Sequence, residues 1–226
     1  VVFEPDRDGK WNVSKTLASP SLRERDYQKA HWRPKFHDKF VASADPVQFN
    51  LDGQAKLRSD KSKTSFPAGI VFEKLTEDDM VRPEEEWTSH TTVCDYCIKT
   101  NDDDVYCEEM LMMSIYYGAL MYPEVNIRSI PKWFIDRGYA GYLKYDYDEV
   151  SGRYKTSPGF TTGSSAGGGV KDELFTELKG YIYRHIHRDK HLNIIMQMKL
   201  IKRKEEMTKF DLIPCMGGVL RSLKYE

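Results

Sequence analysis

Regular alternation of apolar and polar positions begins at Phe40; the stretch before it shows no sustained period. Residues 1–38 are polar and charged, are punctuated by Pro5, Pro20 and Pro34, and carry basic and aromatic clusters in RERDYQKAHWRPKFHDKF. They are expected to form an N-terminal extension, a short helix plus an arm, ahead of a domain over 39–226. FVASADPVQF reads as a buried strand interrupted at Asp45-Pro46, because proline has no N–H to give a sheet ladder. After the polar loop LDGQAKLRSDKSKT, SFPAGIVFEKL predicts a second strand. WTSHTTVCDYCIK predicts a third, with β-branched residues in near alternation. The acidic connection TEDDMVRPEEE between them reads as a loop.

The period changes after Asn101. Asn101 and Asp102 are capping residues, and DDVYCEEMLMMSIYYGALM places apolar side chains at helical spacing. Its Met stripe reads as core filler rather than a ligand set. YPEVNI predicts a short strand, SIPKWFIDRG a helix ending at Gly138, and AGYLKYDYDE a strand running into an acidic turn. SPGFTTGSSAGGGVK is a Gly and Ser tract, and Thr156 to Gly169 is expected to be mobile. It lacks the GxxxxGK[ST] spacing of a phosphate-cradling loop and follows no convincing strand. Amphipathic helices are predicted from Lys171, over about Asp189–Met207, and from near Asp211.

Composition narrows this picture without choosing a function. The chain has 226 residues, 40% hydrophobic, with a net charge of −1, enough for one α/β domain with an extension or for two small domains. That charge creates no global field toward nucleic acid or an anionic membrane, so any phosphate contact must come from local basic patches. No apolar run approaches the roughly 20 residues of a membrane span. The opening VVFEPDRDGK is not a signal peptide and reads like the interior of something longer. Cys94 and Cys97 form a CxxC, but no second pair follows at zinc spacing, since only Cys107 is near. CDYC also continues a strand instead of opening a helix, so the thiols read as reduced and structural, consistent with a cytoplasmic setting.

Three acidic residues stand in or beside apolar stretches: Asp45 in FVASADPVQF, Glu124 in GALMYPEVNI and Asp211 in TKFDLIPCMGGVL. A carboxylate in such a place costs free energy unless it is paired or binds a metal. Three together suggest a site at one end of a sheet, of the all-oxygen kind that magnesium or manganese prefers. The predicted order is three strands, helix, strand, helix, strand and a helical C-terminal part. An antiparallel trio followed by β-α-β crossovers is the arrangement of the ribonuclease H-like α/β fold, a mixed sheet flanked by helices. In that fold the central first strand, the end of the fourth strand and a late helix each bring a carboxylate.

From about Phe40 to Leu223 the chain resembles the nuclease domain of tailed-bacteriophage terminase large subunits. ASADPVQFN is similar to the first-strand aspartate motif and TSFPAGIVFEKL to its neighbouring strand. YPEVNI resembles the strand bearing the glutamate and following asparagine, SPGFTTGSSAGGGVK the loop of Gly and Thr leading to a lysine, and KFDLIPCMGGVL the helix-initiating aspartate. The resemblance implies a divalent-metal-dependent DNA endonuclease that cuts phage concatemers during genome packaging. Asp45, Glu124 and Asp211 would be catalytic ligands of two Mg2+ or Mn2+ ions, and Lys171 would contact a DNA phosphate. It further implies double-stranded DNA, the phage portal and the small terminase subunit as partners, in the host bacterial cytoplasm. The packaging ATPase domain is absent from this chain, which has no Walker motif, so a C-terminal fragment or separate domain is expected.

Two departures from that family stand out. Phe210 occupies the place where a second acidic residue often neighbours the last aspartate, and Gly217-Gly218 weaken the expected final helix. The competing readings are a non-catalytic DNA-binding or assembly module on the same scaffold, and a resolvase or recombinase-type nuclease. Asp102, Asp103 and Asp104 read as helix caps, and Glu108 and Glu109 as a solvated flank, with Glu109 the substitute if Glu124 fails. Asp146, Asp148 and Glu149 read as a turn, Asp146 being a candidate fourth ligand. His185 and His187 fall on different helix faces, which argues against a shared zinc site with His191.

Overall fold

The computed structural model describes residues 6–18, 21–46, 66–100, 102–127, 129–148, 151–162 and 169–224. In chain order the strands and helices are β1 (Asn12–Val13), β2 (Arg23–Asp26), β3 (His31–Pro34), β4 (Phe40–Asp45), β5 (Ala68–Glu73), α1 (Glu77–Met80) and β6 (Thr91–Cys97). There follow α2 (Asp103–Tyr117), β7 (Leu120–Pro123), α3 (Ser129–Asp136), β8 (Tyr145–Asp148), β9 (Arg153–Pro158), α4 (Val170–Arg184), α5 (Leu192–Leu200) and α6 (Leu212–Lys224). Five strands make one mixed sheet in the order β1-β6-β5-β4-β7. β4 is parallel to β7 and antiparallel to β5, while β6 is antiparallel to both β5 and β1.

Both faces of this sheet are covered, which is why β4 reads FVASA without a charged residue until its last position. Side chains alternate between the faces. Phe40, Ala42 and Ala44 pack with Val71, Met121 and the α2 residues Met110, Leu111 and Met113. Val41, Ile70, Phe72 and Tyr122 pack on the other side with Leu174 and Leu178 of α4, Ile194 of α5 and Ile213 and Met216 of α6. Asp45 shares the parity of Val41, and Glu124 that of Tyr122. Both carboxylates therefore belong to the face covered by α6.

α2 begins where Asp102 accepts from the backbone N–H groups of Asp104 (2.9 Å) and Val105 (3.2 Å). α6 forms a full helix in spite of Gly217 and Gly218, and packing explains it. A Cβ at Gly218 would stand 2.5 Å from Ser43 Oγ and 2.6 Å from a Phe160 ring carbon. The glycine that lowers helix propensity is what lets α6 lie down on β4.

The segment before Phe40 contains strands and no helix among its described residues. β1 pairs with the sheet edge at β6, and β2 pairs with β3 as a hairpin. The hairpin is held by Arg33 to Glu24 (2.6 Å) and by Arg23 and Arg25 over the ring of the half-buried Trp32, contacts made largely by charged side chains that leave no apolar period to read. The loop expected after β5 contains the short α1. The strand expected over 140–149 is found at Tyr145–Asp148 as β8, but it pairs with β9 and not with the main sheet, which this stretch meets only through the parallel bridge of Leu143 with Met121. Thr156 to Pro158 are part of β9, while residues 163–168 of that loop lie outside the described residues. The helix expected over Asp189–Met207 is split into α5 and a short 3-10 turn at Lys204–Lys209. No helix among the described residues is long and apolar enough to cross a membrane.

Candidate functional site

The parallel pairing of β4 with β7 puts the first two acidic residues side by side. Ala44 is the register partner of Pro123, and Glu124 N–H donates to the Ala44 carbonyl at 2.9 Å. Asp45 and Glu124 are the next residues on each strand, at their C-terminal ends, on one face, on strands that run about 4.8 Å apart. β7 stops at Pro123, and Glu124 continues into a bridge with Phe160, whose N–H donates to the Pro123 carbonyl at 3.0 Å. That approach needs Gly159, at φ +69°, where a Cβ would stand 2.0 Å from the Pro123 oxygen. The same run brings Thr162 to Glu124: Oε1 of this buried carboxylate accepts from Thr162 Oγ1 and Asn126 Nδ2, and Asn126 also donates to Thr162 at 2.9 Å.

Asp211 arrives from the other direction, one residue before α6. Its carbonyl accepts from Cys215 Sγ one turn later at 3.6 Å, and the next N–H, of Leu212, donates to Gln197 of α5 at 3.0 Å. Cys215 is fully buried, and burial drives its thiol well above the ordinary range, with Asp45 and then Glu124 among the charges that add to this. The Cys97 thiol is pushed up to about 12 by burial first, then by Asp211, Asp95 and Asp45. Asp45 and Glu124 thus act on the Cys215 thiol, and Asp211 and Asp45 on the Cys97 thiol. Burial and these charges both disfavour the thiolate form of the two side chains.

Among the described residues, no group of three or more His, Cys, Asp or Glu side chains is arranged to hold a metal ion as it stands. The chemistry of the donors nonetheless suits a hard divalent ion. They are carboxylate oxygens at a strand end, with the thiols beside them neutral.

Lys171 stands in the first turn of α4, half-buried, one turn ahead of Leu174, which lies against Gly217 of α6. Its charge acts on the adjacent Asp172, whose carboxyl is held below the usual range chiefly by a hydrogen bond from Lys204. The two alternative acids are engaged elsewhere. Glu109 accepts from Trp11 Nε1 (2.9 Å) and Lys10 Nζ (2.7 Å) on the α2 side of the sheet. Asp146 is no surface turn residue. It is buried, Arg221 Nη1 donates to both of its oxygens at 3.0 Å, and Tyr122 and Lys155 donate as well. Glu149 lies outside the described residues, and all four cysteines are free.

Sequence reasoning missed the electrostatic coupling of Cys97 and Cys215 to the acids and the packing role of Gly218. It also missed a buried polar chain in which His191 joins Asp95 of β6 to Ser14 beyond β1. Residues separated by 96 and 177 positions leave no local signal of such a contact. In comparisons with known proteins, no family model matches the chain, and no curated protein matches it in sequence.

Proposed function

We propose that this protein is a divalent-metal-dependent endodeoxyribonuclease on a ribonuclease H-like scaffold, similar in kind to the nuclease domain of a phage terminase large subunit. The observation that carries the reading is the adjacent, same-face placement of Asp45 and Glu124 at the ends of neighbouring parallel strands, with Asp211 delivered by the start of α6. The order β6-β5-β4-β7, with β5 antiparallel to its neighbours and the Leu143 stretch beyond β7, supports the scaffold.

Asp45, Glu124 and Asp211 would hold two Mg2+ or Mn2+ ions, with Asp45, the central-strand residue, as the shared ligand. When bound, such a pair supplies an activated water and stabilises the charge on the pentacoordinate phosphate and the leaving oxygen. The chain's own contribution is orientation. Asn126 and Thr162 fix the Glu124 carboxylate, the β4–β7 register fixes its distance from Asp45, and the packing of α6 fixes Asp211. Lys171 and other basic side chains would contact phosphates without reading bases. DNA concatemers of a phage, in the bacterial cytoplasm, would be the substrate.

Incubation of supercoiled plasmid with the protein and Mn2+ should give nicked and linear DNA, with little sequence preference. Chelation or Asp45→Ala should reduce cutting to background. Undiminished cutting by Asp45→Ala would overturn the assignment, and a folded, DNA-binding protein that never cuts would favour the assembly module.

A further inference from the structure

A second chemical constellation lies away from the acidic strand end, at the sheet edge formed by β1 and β6. His191, which begins α5, is 4% exposed, and its Nδ1 lies 2.5 Å from Oδ2 of Asp95, itself 1% exposed. Its Nε2 lies 2.9 Å from Ser14 Oγ. The His191 backbone is held by its own N–H, which donates to Asp189 Oδ1 at 2.9 Å. The remaining Asp95 oxygen accepts from Asn12 Nδ2 at 3.1 Å, so the carboxylate is fixed from two sides. With an acidic partner at Nδ1, the neutral imidazole keeps its proton there and donates it to Asp95. Nε2 then presents its lone pair to the Ser14 hydroxyl, which donates to it. The Ser14 hydroxyl has two alternative acceptors at longer distances, the Thr92 carbonyl at 3.2 Å and the Val93 carbonyl at 3.5 Å.

Ser14 is also where open space meets these groups. It lines a cavity of about 310 Å³ together with Val13, Lys190, Leu192 and Asn193. On its other side it lines a second cavity of about 510 Å³ that includes Trp87, Arg188 and Lys190. Both volumes fall in the range of small-molecule sites. A serine at the junction of two cavities, bonded to a histidine that is itself bonded to a buried aspartate, has the roles by which a nucleophilic triad is recognised whatever its order in the chain.

We propose that Ser14, His191 and Asp95 form a nucleophile–base–orienter triad acting on small carboxylic esters, a site separate from the acidic strand end. Ser14 Oγ attacks the ester carbonyl carbon and its proton passes to His191 Nε2. The carbonyl electrons return as the C–O bond to the alcohol breaks, and that alcohol leaves with the proton from His191. A water molecule then loses a proton to Nε2 and adds to the acyl carbon. The Ser14–acyl bond breaks, Ser14 recovers the proton, and a carboxylic acid is released. Asp95 would hold the imidazole in the reactive tautomer, and the cations lining the cavities, Lys190 in both and Lys15 and Arg188 in the larger, would supply positive charge for the negative oxygen.

The full chain is treated with a fluorophosphonate probe, and the adduct is located by peptide mass spectrometry. A single adduct on Ser14 is expected in the folded protein, and it should vanish on denaturation. Asp95→Asn should slow labelling on the order of 100-fold while thermal melting confirms that the variant is folded. Ser14→Ala should remove hydrolysis of p-nitrophenyl acetate and leave metal-dependent DNA cutting unchanged. No adduct on Ser14 in the folded wild-type protein overturns the proposal, whatever the variants do. So does an adduct forming at the same rate in folded Asp95→Asn, because the hydrogen bonds would then be a structural tie of β1 to α5.

Discussion

Arg221 is the residue on which the site's far support depends. It is buried on α6, donates to Asp146 of β8 and reaches Glu173 of α4 at 2.9 Å, so one guanidinium ties three elements together. Removing one partner of a buried pair leaves the other charge uncompensated. Arg221→Met should therefore lower the unfolding free energy by about 3 kcal/mol, the low end for a broken buried pair because Tyr122 and Lys155 still serve Asp146. Urea denaturation measures this, and adding Asp146→Asn to Arg221→Met should restore part of the loss. Asp146 shows where sequence reading stops at this scale. Within LKYDYDE it looks like one of several turn acids, and the cations that pair with it, Lys155 and Arg221, come from later in the chain. Asp45 and Glu124 were legible for the opposite reason: each follows an apolar strand whose burial is written locally.

At the scale of elements, α6 decides whether Asp211 reaches the other two carboxylates. Helix propensity favours replacing Gly218 by alanine by about 1 kcal/mol, yet the added Cβ would collide with Ser43 and Phe160. Overpacking of this kind costs roughly 1–3 kcal/mol, so the collision should win. Gly218→Ala is expected to lower the urea midpoint and Gly218→Val to lower it further, with DNA cutting falling more steeply than stability as α6 lifts from β4. A more stable Gly218→Ala would mean that α6 has room to spare. The central strands and α2 were legible because their patterns are long and regular. β1, the β2–β3 hairpin and β9 were not, since their pairing depends on charged and exposed side chains, and two glycines made a buried helix look weak. The fifth expected strand is present as β8, but it pairs with β9, and only Leu143 ahead of it bridges to the main sheet.

For the molecule as a whole, the fold and the proposed function rest on one arrangement: a mixed sheet covered on both faces, with Asp45 and Glu124 adjacent where β4 and β7 end. Net charge gives no hint of this, because 34 basic and 35 acidic residues nearly cancel to −1. The most direct measurement is anomalous diffraction from crystals soaked in Mn2+. Two peaks about 4 Å apart are expected. The oxygens of Asp45, Glu124 and Asp211 should lie on the order of 2 Å from them. Peaks absent from this strand end in a crystal where it is open to solvent, or Asp45 and Glu124 carboxylates more than about 8 Å apart, too far for a shared two-metal centre, would contradict the account.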